Sequence, residues 1–140
     1  MPTHAAFLRA VNLGAARKAS SAQLRAAFES AGFDEVATFR NSGNVAFTAS
    51  GAAAKIRSAA EQALKAELGF EVPVFLRTRK QLEAIAAREP FPAAALRRSQ
   101  GKLQVALLEA KPKTAGVKEV MALASDDDLL DLDGTELYWL

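Results

Sequence analysis

The sequence predicts an α+β protein: a ferredoxin-like, split βαββαβ first half followed by a second, incomplete βαββ half. Three observations carry this. Short apolar runs suited to strands alternate with stretches of helical periodicity in the order strand, helix, strand, strand, helix, strand. Two of the helical stretches end on the same pair, Gly32-Phe33 and Gly69-Phe70, and each is followed by a strand. After Pro90-Phe91-Pro92 the order strand, helix, strand, strand begins again and runs to Leu140.

The first strand is expected over Ala5 to Val11, an apolar run too short for an ordinary helix, and Asn12-Leu13-Gly14 breaks it. Beyond Ala15-Ala16-Arg17-Lys18, Ser20 and Gln23 have the spacing at which a cap hydroxyl and a Gln side chain satisfy each other's backbone donors. Leu24, Ala27, Phe28 and Ala31 then recur at helical spacing, with Arg25 and Glu29 on the wet side. Gly32 ends this helix and Phe33 folds back on its last turn. A second helix, capped by Ser50, buries Ile56, Ala60, Ala63, Leu64 and Leu68.

The remaining strands of the first half are Val36 to Phe39, Val45 to Thr48 and Val72 to Leu76, the first two joined through the Ser42-Gly43 turn. Connection rules place the first and third strands centrally, and Pro73, which cannot donate to a ladder, suits an edge. The first and second strands then run in the same direction. The loop Asn12 to Lys18 and the hairpin Arg40 to Asn44 must therefore share one end of the sheet.

A third helix is expected from Thr78 to about Arg88, a short helical turn around Arg97 and Arg98, a strand over Leu103 to Leu108 and a helix over Thr114 to Ala124. Asp128 to Leu132 and Glu136 to Leu140 flank the hairpin signal Asp133-Gly134. The chain is thus organised as a ferredoxin-like subdomain over residues 1–78, a helical linker over 79–102 and a βαββ subdomain over 103–140 packed on the first.

Composition narrows the function classes. With 140 residues, half of them hydrophobic, the chain can build a proper core. It has no cysteine, which excludes disulfides, thiol nucleophiles and cysteine-ligated metal, and suits a reducing compartment. The start, Met1-Pro2-Thr3-His4-Ala5, lacks the basic and long apolar regions of a secretory signal, and no apolar run approaches a membrane span, so a cytoplasmic protein is expected. A net charge of only +2 makes any basic footprint local. The aspartates Asp126, Asp127, Asp128, Asp131 and Asp133 read as solvated turns.

The two loops form the candidate site. Arg9, Arg17, Lys18 and Arg40 supply charge for an anionic or polar ligand, and Asn12, Asn41, Ser42 and Asn44 supply directed hydrogen bonds around Gly14 and Gly43. Ordinary turn chemistry accounts for the same Asn-Ser-Gly-Asn stretch, because Asn and Gly accept left-handed angles and Ser bonds locally. The third-strand signature of RNA-recognition motifs is matched by Arg40, Gly43, Val45 and Phe47. Ser42 and Asn44 stand where its stacking rings belong, so no base-stacking platform is expected.

No catalytic constellation is visible. His4, the only histidine, lies at the chain start, where a mobile end is expected. Asp131-Leu132-Asp133-Gly134 lacks the spacing of a calcium loop, and both glycine-rich phosphate fingerprints are missing. No metal and no cofactor is implied.

Phe7-Leu8-Arg9-Ala10-Val11-Asn12-Leu13-Gly14 resembles the opening Leu-Arg-Gly-Ile-Asn-Val-Gly signature of the domain of unknown function family 1697. Ser42-Gly43-Asn44-Val45-Ala46-Phe47 resembles the family's Ser-Gly-Asn-Val-x-Phe hairpin. The resemblance implies a bacterial, cytosolic α+β protein with ferredoxin-like halves and no established activity. Ala10 departs from the usual glycine, Ala15 from the loop's second one, and the chain ends at Tyr138-Trp139-Leu140 before the family's usual C-terminal segment.

The expected function is a small binding protein holding an anionic ligand, a nucleic-acid phosphate among them, between the Arg9-Gly14 loop and the Arg40-Asn44 hairpin. The alternatives are an interaction module whose motif residues are purely structural and, last, an enzyme at the same cleft. Leu137, Tyr138, Trp139 and Leu140 on a terminal strand predict self-association, a homodimer through that strand.

Overall fold

The computed structural model describes residues 1–12, 14–40 and 42–140. They form an α+β architecture with two antiparallel sheets and five α-helices, and divide into two compact units, Met1–Glu83 and Ala84–Leu140. The boundary falls within a helix inside the stretch 79–102 expected as a linker.

The first unit runs β1 (His4–Leu8), α1 (Ser21–Ser30), β2 (Asp34–Phe39), β3 (Asn44–Thr48), α2 (Ala53–Leu68) and β4 (Val74–Thr78), with a short 3-10 turn at Ala15–Arg17. Its sheet has the order β2-β3-β1-β4, with all neighbours antiparallel. Side-chain alternation sends Ala6, Leu8, Val45, Phe47 and Val74 to one face. There they meet Leu24, Ala27 and Phe28 of α1 and Ile56, Ala60 and Leu64 of α2 in one buried cluster. Phe47 lies at its centre, its ring centroid 4.7 Å from Phe33, 5.1 Å from Phe28 and 5.7 Å from His4.

The helix boundaries follow from local chemistry. Ser20 and Gln23 make the reciprocal cap, with Gln23 N donating to Ser20 Oγ at 3.1 Å and Ser20 N to Gln23 Oε1 at 3.0 Å. Gly32, at φ 88°, turns the chain out of α1, and Phe33 N donates back to Phe28 O. Ser50 does not cap α2. The cap position is Ala52, without a side-chain hydrogen bond, because the helix starts two residues later than Ser50 requires.

Three sequence expectations shift here. β1 ends at Leu8, so Arg9 lies beyond the strand. β4 begins at Val74, leaving Pro73 outside the ladder with its carbonyl accepting from Arg9 N at 3.1 Å. His4 is no mobile end: it is the first residue of β1 and stacks on Phe47, and burial holds its imidazole pKa below the ordinary histidine value.

The helix across the boundary is α3 (Arg79–Ala87), and the second unit continues with α4 (Ala93–Ser99), β5 (Gln104–Leu107), α5 (Thr114–Met121), β6 (Leu130–Asp133) and β7 (Glu136–Trp139). Its sheet order is β5-β7-β6. The terminal strand is therefore the middle one, paired with β5 and β6 on either side, and offers no open edge for a second copy. Tyr138 is buried and Trp139 is 46% exposed, its Nε1 donating to Asp128 Oδ1 at 2.9 Å. Arg88 pairs with Asp131 at 2.6 Å and Asp133 at 3.5 Å, its guanidinium 5.5 Å from the Tyr138 ring centroid. Burial pushes the Tyr138 phenol up.

Candidate functional site

The β1 exit loop and the β2–β3 hairpin meet at one end of the first sheet. Leu8 N donates to Gly43 O at 2.9 Å, which ties the last residue of β1 to the hairpin turn. Gly43 is at φ 75°, and a Cβ built there would stand 2.6 Å from Val11 Cγ2. Only glycine lets the hairpin approach the loop this closely.

Asn12, Arg17 and Ser42 are occupied with the fold itself. The Asn12 carboxamide oxygen accepts from Ala19 N at 2.9 Å, while Asn12 N donates to Arg17 O at 2.8 Å, which closes the loop on itself. Arg17 Nε donates to Ala10 O and Nη2 to Glu71 O, both at 2.8 Å, and its guanidinium lies 4.6 Å above the Phe70 ring. Arg17 thus staples the loop to the segment that enters β4. The Ser42 hydroxyl donates to Phe39 O at 2.5 Å, a bond within the turn.

Arg9, Gly14, Lys18 and Arg40 are exposed, and Asn44 is half-buried in β3. Arg40 lies 5.4 Å from the ring centroid of Phe39, itself 63% exposed. Lys18 borders an open depression whose other lining residues include Asn12, Gly14, Ser20 and Gln23. The capping box already employs Ser20 N and Gln23 N, so the start of α1 offers fewer donors than its sequence suggests. Asn41, a candidate by sequence, lies outside the described residues, as does Leu13.

The backbone is strained here. Five non-glycine residues have positive φ among the described residues, and three belong to these loops: Ala10 at 58°, Asn12 at 58° and Arg40 at 53°. For Ala and Arg this conformation costs about 1–2 kcal/mol each. Ala10 occupies the position where the motif resemblance expects glycine, and that departure was the sequence signal for strain. Nothing in the sequence signalled the carbonyls of Glu71 and Pro73 as partners, because they arrive from the far side of α2.

The described residues contain no group of three His, Cys, Asp or Glu placed to hold a metal ion, and no helix long and apolar enough to cross a membrane. Asp131 and Asp133 are engaged by Arg88 beside the β6–β7 hairpin.

No curated protein matches the chain. Among solved structures, it is similar to the conserved bacterial protein SP0830 from Streptococcus pneumoniae, with a TM-score of 0.80 and 23% identity over 99% of this chain and 76% of that one. At that identity the likeness concerns the fold. The model of the family described as protein of unknown function (DUF1697) matches residues 1–138, the motif-bearing loop and hairpin included, and the chain belongs to that family.

Proposed function

We propose that this is a small cytoplasmic binding protein that holds an anionic ligand at the paired loops of a ferredoxin-like first unit. The strand order β2-β3-β1-β4 in a βαββαβ chain supports the ferredoxin-like reading. The freedom from cysteine suits the cytoplasm. One observation carries the ligand: strained backbone at Ala10 and Arg40 coincides with the exposed cations Arg9, Lys18 and Arg40. Strain of this kind persists where the surroundings over-determine it, and it concentrates at binding sites.

The roles divide accordingly. Arg9, Lys18 and Arg40 counter charge, Asn44 orients the ligand, and Asn12, Arg17, Ser42 and Gly43 hold the loops in place. The competing reading, motif residues with a purely architectural task, fits Arg17 and Gly43 but not Arg40, whose side chain is exposed.

A thermal-shift screen of wild type and Arg40→Ala against phosphate, pyrophosphate, sulfate and nucleotides tests this. The wild type should gain about 2.7 kcal/mol with a ligand at a hundred times its Kd. Arg40→Ala should lose most of that gain while its unliganded stability changes by no more than about 0.5 kcal/mol. A shift equal in both proteins, or none in either, removes the anion site.

A further inference from the structure

α1 and α2 cover one face of the first sheet, and the other carries an aromatic row in register. Phe39 of β2 pairs with Asn44 of β3, Asn44 pairs with Phe7 of β1, and Phe7 pairs with Phe75 of β4. Directly opposed residues project from the same face, and the chain neighbours Leu8, Val45 and Val74 all enter the core. The four side chains therefore stand on the face opposite the helices, across roughly 14 Å of sheet.

Phe39 is 63% exposed, and Phe7, Asn44 and Phe75 are half-buried. A single exposed ring is unremarkable in a soluble protein. A ring that continues into a row with an amide at its second position is a different surface. The row lies at the end where β1 and β2 deliver Arg9 and Arg40, both exposed. Farther along the same face Arg77, paired with Ala5, is buried, so the open part is the end with the loops.

We infer that this face binds single-stranded nucleic acid. Rings on a four-stranded sheet accept unpaired bases by stacking, a neighbouring amide reads base edges, and flanking arginines take the phosphates. Phe39 and Phe7 are the stacking rings, Asn44 is the amide between them, and Arg9 and Arg40 hold the backbone. The rings come from the strands on either side of β3, whereas the third-strand signature itself has Ser42 and Asn44 at its stacking positions. The inference rests on the anion site proposed above and names its ligand class.

Fluorescence anisotropy of labelled rU10 and dT10 over a salt series, with wild type, Phe39→Ala and Arg40→Ala, is the test, and thermal melts check that each variant folds. Phe39→Ala should weaken binding about five- to hundredfold with an unchanged salt slope, the cost of one stacked base. Arg40→Ala should weaken binding and make the slope of log K against log salt shallower by about 0.7. Equal affinity of folded Phe39→Ala and wild type overturns the platform. So does the absence of oligonucleotide binding, and an Arg40-dependent shift with pyrophosphate would then leave the anion site standing. Failure of both probes removes both readings.

Discussion

The two units follow the same path and bury their residues differently. In each, a strand, a helix and a second parallel strand are followed by a third that inserts between the two: β3 between β1 and β2, and β7 between β5 and β6. In the first, α1 buries Leu24, Ala27 and Phe28, and Phe47 of the inserted strand is fully buried. In the second, no residue of α5 is fully buried, β5 leaves Val105 37% exposed, and Tyr138 is the one buried residue of the sheet among those described. Topology is shared, and the stabilising area is concentrated in the first unit.

Phe47→Ala and Val105→Ala test that contrast most strongly. Phe47 touches three other rings, and its truncation should cost about 3–5 kcal/mol in urea denaturation. Val105→Ala should cost less than about 1 kcal/mol. Similar losses at both positions would mean that the second sheet is as tightly packed as the first.

The hairpin glycines sharpen the comparison. Gly43 and Gly134 both have positive φ, 75° and 60°, yet a Cβ at Gly134 meets nothing within 4 Å whereas one at Gly43 collides with Val11. Gly134→Ala should therefore cost about 1–2 kcal/mol, the backbone penalty alone. Gly43→Ala should cost about 2–4 kcal/mol, because overpacking adds to it, and Val11→Ala in the same chain should recover part of the excess. Equal costs at the two glycines would show that the loop gives way at Val11.

The smallest effect concerns pH. Burial against Phe47 disfavours the charged His4 ring and lowers its pKa, so the unfolded chain takes up the proton more readily. The neutral ring's contribution is present above about 6.5 and declines as pH falls below it. His4→Phe should flatten that part of the stability profile, and an unchanged slope between about pH 5 and 7 would assign it to other groups.

What the sequence made legible is mostly local. Ser20 and Gln23 announced a cap, Gly32-Phe33 a helix end, and the alternation around Val45 and Phe47 a buried face, each within a few residues. The family motifs marked the loop and hairpin that meet through Leu8 and Gly43. What it left unread needed distant information. Arg9 depended on where β1 stops, Arg17 on carbonyl groups reaching it from before β4, and Phe39 on the face its register assigns to it. The position of β7 was within reach, since the insertion of β3 between β1 and β2 already showed the rule.

Arg17 and the backbone bonds around it restrain the loop's motion. The amides of Leu8, Arg9, Asn12 and Ala19 are bonded in turn to the hairpin, to the entry of β4, to Arg17 and to the Asn12 side chain. An exposed loop ordinarily opens by itself, at little free-energy cost. These four amides tie the loop at both ends and across it, so their hydrogen exchange should follow the cooperative opening of the sheet rather than local fraying.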